Sequence, residues 1–410
     1  RPSIRSKVLP PGLDGSGPLP SCRGKPGGRI MTERIGVAVI GTGFMGRCHA
    51  AAWRQVRAIF EDLPTPELIA VADAVPAAAR AAAAAFGFSH AVADWRDVMA
   101  DSRVQAVSIA TPNALHREMA LAALAAGKHV WCEKPMAVTL ADAEAMAAAA
   151  RGARGRTLLG YNYTCNPMIG EARRLIGQGA IGRVVHVRGV VDEDYLADPE
   201  IPWSWRLRQE DAGLGTLGDL ACHLIAMLHL LVGPVSRVQG DMATVHATRP
   251  VPGRAGERAA VENEDVAQAL VRFESGATGV LGFSRVAWGR KNRIAWEIHG
   301  TRGMLTFDQE RMNELQLFLA EGAPGTRGFR TILAGPTHPP FGRFVPAAGH
   351  GLGFNDLKVI EAARLLRAIA TGQPAELDFE HGLTIERTIH AIARAAASEG
   401  WISPSALSGD

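Results

Sequence analysis

Two short segments carry side chains that could move a proton on and off a hydroxyl group. Lys134 lies in CEKP at 132–135, directly after an apolar run, where an ammonium could be directed at a substrate oxygen. Asp219 and His223 are spaced i,i+4 in a predicted helix, so the carboxylate could orient the imidazole and favour its protonated form. Position alone leaves alternatives, because Lys134 could be a solvated lysine at a strand end and His223 a core histidine.

A glycine-rich turn predicts where a dinucleotide binds. The apolar run IGVAVI at 35–40 leads into GTGFMG at 41–46, the order in which a strand enters a helix that holds a diphosphate. Gly41 would permit the tight turn, Gly43 the close approach of the ligand, and Gly46 the packing of helix on strand. The predicted cofactor-binding turn therefore comprises Gly41, Gly43, Phe44, Met45 and Gly46.

A carboxylate at the end of the next predicted strand favours NAD over NADP. The segment ELIAVAD at 67–73 ends at Asp73, which could accept hydrogen bonds from ribose hydroxyls and repel a 2′-phosphate. No basic residue follows until Arg80. The alternative is a surface aspartate that caps the following helix.

Two further strand ends are predicted to face the same edge. The strand at 104–110 ends at Thr111, Pro112 and Asn113, and the strand at 129–132 leads into Glu133 and Lys134. Ligands of open α/β sheets bind outside the carboxyl ends of the strands, so both segments should line one site, with Glu133 and Lys134 among the residues expected to bind the cofactor. Pro135 restricts the backbone of Lys134 and permits a cis peptide bond.

The elements that must position these side chains indicate two domains. Strands alternate with helices over 31–155, which predicts a doubly wound parallel sheet of the Rossmann type. Residues 156–410 should form an α+β domain for substrate binding and oligomerisation, with a large, open, mostly antiparallel sheet. Its uncovered face predicts a homodimer or homotetramer. The predicted elements are strands at 235–243, 264–273, 277–286, 293–299 and 303–307, a helix at 218–231, a long loop at 321–353, and terminal helices at 356–370 and 380–398.

Composition excludes several classes of function. Residues 1–30 hold six Lys/Arg and one acidic residue and are predicted to be a disordered extension before Met31. Without them, 38 basic residues face 40 acidic ones, which gives no electrostatic case for nucleic-acid binding. No uninterrupted apolar stretch reaches the roughly 18 residues of a membrane span. The five cysteines lack metal-type spacing, which predicts reduced thiols, a cytoplasmic location and no bound metal.

Taken together, these segments resemble the Gfo/Idh/MocA oxidoreductase family. The matching motifs, which occur in family order across 33–400, are GTGFMGRCHA at 41–50, ATPNALH at 110–116, CEKP at 132–135, YNYTCNP at 161–167 and GDLACHLI at 218–225. SWR at 204–206 and GFRT at 328–331 resemble members that oxidise anhydrosugars; inositol-oxidising members are also similar.

The resemblance implies that NAD accepts a hydride from a secondary hydroxyl of a sugar, anhydrosugar or cyclitol. It assigns Lys134 as the catalytic lysine, Asp219 with His223 as the acid–base pair, Tyr163 as a substrate contact, and Thr111, Pro112, Asn113 and His116 as the lining of the cofactor site. Trp205 could offer a face for sugar stacking, unless it is a core residue. Thr164 and Cys165 stand where many relatives carry an arginine, so the identity of the sugar is not carried over.

Two other functions remain open. The first is a sensor that binds a dinucleotide without catalysis, although retention of both Lys134 and His223 argues against it. The second is a reductase of the dihydrodiol or biliverdin type within the same family. The partner expected first is a small sugar or polyol.

Overall fold

The computed structural model describes residues 33–398 and 400–409, so the extension at 1–30 and Met31 lie outside the described residues. The first domain is built on strands β1 (Arg34–Ile40), β2 (Thr65–Ala72), β3 (His90–Val92), β4 (Ala106–Ile109), β5 (His129–Cys132) and β6 (Thr157–Leu159). They lie in the order β3-β2-β1-β4-β5-β6 with parallel pairing throughout, which confirms the doubly wound sheet. Because β6 pairs with β5, this sheet extends to Leu159, past the boundary predicted at 155.

The helices of the first domain start and stop where local sequence directs. They are α1 (Phe44–Ile59), α2 (Pro76–Phe86), α3 (Trp95–Ala100), α4 (His116–Ala125) and α5 (Leu140–Gly152). Helix α2 begins with a proline, which costs no hydrogen bond because the first N–H groups of a helix have no partner within it. Its C-cap is Gly87, with φ +76°. On α1, Trp53 is buried and donates its indole N–H to the hydroxyl of Ser108, which fixes the helix on the sheet.

The second domain is an eight-stranded sheet. Its strands are β7 (Val184–Asp192), β8 (Val235–Ala243), β11 (Val266–Phe273), β12 (Thr278–Ser284), β13 (Arg293–Gly300), β14 (Gly303–Asp308), β15 (Glu314–Leu319) and β16 (Arg330–Leu333), beside a separate hairpin of β9 (Thr248–Pro250) and β10 (Arg258–Ala260). The order is β16-β15-β14-β13-β7-β12-β11-β8, and β7 with β12 is the parallel pair, so the mostly antiparallel prediction is confirmed. Strands β9, β10, β15 and β16 were not predicted, and β16 lies inside the predicted loop.

Helices cover one face of this sheet. The second domain contains α6 (Pro167–Gly177), α7 (Gln209–Ala212), α8 (Cys222–Leu231), α9 (Phe341–Phe344), α10 (Phe354–Thr371) and α11 (Phe379–Ala397). Gly189 of β7 has no room for a Cβ, because Leu224 of α8 packs directly on it. On the opposite face Leu270 and Val280, which are paired across β11 and β12, remain 45% and 48% exposed.

The last two long helices return to the first domain. Phe354 at the start of α10 stacks on Phe44 of α1, with 5.8 Å between the ring centroids. From α11, Glu386 accepts a hydrogen bond of 2.7 Å from the backbone N–H of Met136. Helices predicted to complete the second domain therefore also fix the loops of the first.

Among the residues that the structure describes, one helical stretch meets the length and composition criteria of a membrane span. It is Gln209–Leu231, with a mean hydropathy of 1.5 over its most apolar window. In the fold 78% of that window is buried, as in a core helix, because α8 packs against the sheet.

Candidate active site

A cavity of about 1230 Å³ lies between the two domains at the carboxyl ends of the first sheet. It collects most of the residues predicted from sequence, namely Gly41, Gly43, Phe44, Met45, Asp73, Thr111, Pro112, Asn113, Glu133, Lys134, Tyr163, Trp205, Asp219 and His223. Gly46 and His116 do not line it. The strand-end rule therefore located the site, and the structure distinguishes the residues that face it from those that support it.

The glycine turn has the shape that a diphosphate needs. Gly41 has φ +94°, which favours glycine, and a Cβ there would meet the carbonyl oxygen of Ala110 at 2.5 Å. A Cβ on Gly46 would overlap the Gly41 carbonyl, so Gly46 serves helix packing. Gly43 has no atom within 4 Å of its Cβ position and no side chain caps α1 there, which leaves the helix N-terminus available to an anion.

Asp73 braces this turn from the end of β2. Its Oδ2 accepts hydrogen bonds from the backbone N–H and the hydroxyl of Thr42 at 2.9 and 2.6 Å, and Oδ1 accepts one from Val75. Burial opposes ionisation, but these hydrogen bonds outweigh it and hold the pKa of the carboxyl below its usual value. The helix-cap alternative is wrong, because Val75 is the N-cap of α2 and no side chain caps it.

Lys134 and Asp219 form an ion pair across the two domains. The Lys134 Nζ donates to Oδ1 and to the backbone oxygen of Asp219 at 2.7 and 2.8 Å, and Tyr195 donates its hydroxyl to Oδ2 at 2.8 Å. Burial disfavours both charges, but their mutual attraction and the hydrogen bonds together outweigh it, so the pKa of Lys134 is raised and that of Asp219 is lowered. The lysine is therefore a held ammonium, not a freely solvated one. The Lys134–Pro135 peptide bond is cis.

The predicted pairing of Asp219 with His223 is not formed. Both carboxylate oxygens of Asp219 are taken by Lys134 and Tyr195. The cause lies in the backbone, because Leu217–Ala221 is a π-helical turn rather than the start of a regular α-helix. An i→i+5 turn shifts the angular register of the residues before it against those after it, so i,i+4 spacing no longer ensures a shared face.

His223 instead presents a neutral imidazole to the cavity. Its Nδ1 has no hydrogen-bond partner within the described residues, and its ring lies edge-on to Tyr163 with 4.7 Å between centroids. Burial, together with the charge of Lys134, holds the pKa of the imidazole well below its usual value. Tyr163 is itself fixed, because its hydroxyl accepts a 2.8 Å hydrogen bond from the Asn292 amide.

Two residues predicted to bind the cofactor are committed to the protein. Glu133 touches the cavity, but its Oε1 lies 2.8 Å from His49 Nε2 and 2.5 Å from Lys358 Nζ, inside the fold. His116 is fully buried, and its ring nitrogens lie 3.0 and 3.1 Å from the carbonyl oxygens of Pro135 and Thr111. Both side chains thus hold the two strand-end loops in register, and only Glu133 also reaches the cavity.

Asn113 and Trp205 sit where the second domain closes over the first. The Asn113 amide donates to the carbonyl of Ala212 at 3.0 Å, which makes it a link between the domains as well as a cavity residue. Trp205 is half-buried and lines the cavity, with the Arg206 guanidinium 4.6 Å from its ring centroid, so the core alternative is wrong for it. Trp203 points elsewhere and donates its indole N–H to Ala260.

Sequence reasoning missed several cavity residues, among them Glu193, Tyr195 and Phe354. Glu193 and Tyr195 follow the end of β7. The rule that ligands bind at the carboxyl ends of parallel strands applies to β7 only because it pairs in parallel with β12, which the sequence does not reveal. No feature of the sequence around Phe354 indicates a cavity residue, because Phe354 reaches the cavity only through the packing of α10.

Thr164 and Cys165, the departure from the family pattern, are buried and do not line the cavity. Within residues 33–398 and 400–409, no cluster of three or more His, Cys, Asp or Glu could hold a metal.

A dinucleotide turn and a set of proton-transfer groups on one cleft define an NAD-binding oxidoreductase. Residues 35–161 match the family model described as the oxidoreductase family, NAD-binding Rossmann fold, and residues 169–306 match the GFO/IDH/MocA C-terminal domain. The chain belongs to the Gfo/Idh/MocA oxidoreductase family.

Individual relatives cover nearly the whole chain. Levoglucosan dehydrogenase of Pseudarthrobacter phenanthrenivorans is 38% identical over 90% of this chain and 98% of its own length. Inositol 2-dehydrogenase 1 of Saccharopolyspora erythraea is 30% identical over 85% of this chain and 97% of its own. The solved structure of levoglucosan dehydrogenase in complex with NADH and levoglucosan superposes with a TM-score of 0.87, covering 90% of this chain and 99% of that one.

Proposed function

We propose that this chain uses NAD to oxidise a secondary hydroxyl of a sugar, anhydrosugar or cyclitol to a ketone. The observation that carries the proposal is that the Lys134 ammonium and the neutral His223 imidazole face one cavity with the glycine turn. Its relatives named as levoglucosan and inositol dehydrogenases support a polyol substrate.

The glycine turn and Asp73 would hold NAD, which when bound supplies the acceptor for the carbinol hydride. Lys134 then hydrogen-bonds the substrate hydroxyl oxygen and stabilises the negative charge that develops on it. His223 removes the hydroxyl proton, for which its neutral form is required. Asp219 acts by keeping Lys134 charged and in place, while Tyr195 holds the second oxygen of Asp219.

A substrate screen tests this function. Purified protein is mixed with levoglucosan, myo-inositol or L-sorbose and with NAD or NADP, and the absorbance of reduced nicotinamide is followed. We expect turnover with at least one polyol, and faster turnover with NAD than with NADP. Binding of NAD without turnover of any polyol would favour the sensor, and turnover only of aromatic or tetrapyrrole substrates would favour the reductase alternative.

We also infer that the chain forms a homodimer or homotetramer through the uncovered face of the second sheet. Leu270 and Val280 expose apolar side chains side by side on that face, which water disfavours. Light scattering of the wild type and of a Leu270→Lys/Val280→Lys variant tests this. A monomeric wild type would contradict the inference.

A further inference from the structure

Glu193 occupies a distinctive position at the rim of the second sheet. Strands β7 and β12 are its parallel pair, and their register ends at Asp192 opposite Ser284. The next residue is Glu193, whose N–H donates to the Ser284 carbonyl at 2.9 Å. From Val187 onward every second residue of β7 is buried, namely Val187, Gly189 and Val191. Glu193 continues this alternation and lines the cavity. Asp192, on the other side of the strand, pairs with Arg293.

The carboxylate of Glu193 has no hydrogen-bond partner of its own in the part of the chain that the structure describes. Arg285, which also lines the cavity, is committed elsewhere, since it pairs with Asp265 at 2.8 Å, and Lys291 pairs with the neighbouring Asp194 at 2.6 Å. Lys134 attracts Glu193 but is held by Asp219. A half-buried carboxylate is thus aimed into the cavity without a donor.

The charges that surround Glu193 specify the missing donor. Burial and the negative charges of Asp219 and Asp194 raise the pKa of Glu193 to about 7, although the positive charge of Lys134 opposes the shift. The other titratable groups that face it are the hydroxyls of Tyr163 and Tyr195. An ionised carboxylate only accepts hydrogen bonds, so a neutral hydroxyl of a bound ligand would satisfy it without adding charge.

We infer that Glu193 contacts the substrate and determines specificity, accepting a hydrogen bond from a second hydroxyl close to the one that is oxidised. Glu193 lines the same cavity as Lys134 and Asp219, so that second hydroxyl lies on the same small ligand near the reacting carbon, as in a vicinal diol. The enzyme therefore selects vicinal diols over isolated secondary alcohols. This inference rests on the proposed function.

Three variants test it: Glu193→Gln, Glu193→Ala and, as a matched control, Asp194→Asn, whose carboxylate lies outside the cavity against Lys291. Steady-state kinetics are measured at saturating NAD with levoglucosan and myo-inositol, and NADH binding by fluorescence shows that each variant is folded. We expect KM to rise about tenfold or more in both Glu193 variants, with a smaller change in kcat, because a substrate hydroxyl loses its acceptor. Asp194→Asn should keep the wild-type KM.

The pH profile separates substrate contact from a structural role. In the wild type kcat/KM should rise with pH near 7 as Glu193 ionises, and Glu193→Gln should lack that rise. The ratio of kcat/KM for trans-cyclohexane-1,2-diol to that for cyclohexanol should fall in the same variant. Unchanged KM, pH profile and ratio in an active Glu193→Gln enzyme would overturn this inference alone. A wild type that oxidises no polyol would overturn the proposed function instead.

Discussion

Glu133 and Lys134 are neighbours in sequence but belong to two charged clusters with opposite surroundings. The buried cluster consists of Glu133, His49, Lys358 and Glu361, whose side chains are at most 5% exposed. The cavity cluster consists of Lys134, Asp219 and Tyr195, in which the lysine and aspartate side chains remain 17% and 32% exposed. The buried cluster is almost fully removed from solvent and connects α1, the CEKP loop and α10, whereas the cavity cluster remains open to a ligand.

The difference teaches how the fold assigns roles within one short motif. In the buried cluster one ammonium serves two carboxylates, since Lys358 Nζ lies 2.5 Å from Glu133 and 2.8 Å from Glu361. Burial raises the pKa of Glu361 to about 7 despite that ammonium, and it lowers the pKa of His49 to about 4, so the histidine is neutral. Charge there serves to fix the loop, and the adjacent Lys134 is thereby positioned.

The largest expected effect is a loss of turnover when Lys134 of the cavity cluster or the nearby His223 is substituted. Lys134→Met and His223→Ala should each lower kcat by at least about 10²-fold, because each removes a proton-handling group from the reacting oxygen. NADH binding, followed by fluorescence, should persist in both variants. Near-wild-type rates in either one would remove the proposed mechanism.

The buried cluster should respond in stability instead. Lys358→Met leaves Glu133 and Glu361 buried without their cation, which should lower the free energy of unfolding by about 3–5 kcal/mol in a denaturant titration. Lys291→Met is the control, because its ammonium is exposed and solvent screens its ion pair with Asp194, so its loss should hardly change the free energy of unfolding. Equal effects of the two substitutions would show that the buried cluster contributes no more to stability than an exposed ion pair does.

Another buried carboxylate, that of Glu386, should make the stability of the protein depend on pH. Burial raises the pKa of Glu386 to about 8, although backbone N–H groups of Met136 and Ala137 oppose the shift. The folded state thus holds this proton more tightly than the unfolded state, so stability should fall as the pH rises from about 4.5 to about 8. Glu386→Gln should flatten that decline in melting temperatures across the window. Glu380→Gln, on the same helix but 45% exposed, should keep the wild-type profile.

The smallest effect is expected at the cofactor end of the cavity. Asp73→Ser removes the charge that would exclude a 2′-phosphate and should weaken NAD binding by about tenfold while improving binding of NADP. Titration of the two cofactors against protein fluorescence measures the ratio. An unchanged preference would show that Asp73 supports the turn through Thr42 without selecting the cofactor.

Much of the site followed from sequence because its signals are local. A glycine at φ +94°, a carboxylate at a strand end and a loop after a buried strand each depend on a few neighbouring residues, so the sequence could indicate that Gly41, Asp73 and Lys134 line one cavity. The unpredicted strands β15 and β16 and the crossing of α10 to the first domain depend on contacts between distant segments. Phe354 illustrates this, since no feature of its own segment indicates that it meets Phe44.

The sequence by itself determined the two-domain α/β architecture, the dinucleotide turn and the set of side chains that meet in the cleft. Only the tertiary structure decided how those side chains are paired. A π-helical turn gives Asp219 to Lys134 instead of His223, and the return of α10 turns Glu133 inward to Lys358. The physical reason is that composition and spacing fix which strand ends a side chain follows, whereas its partner depends on packing between elements far apart in the chain.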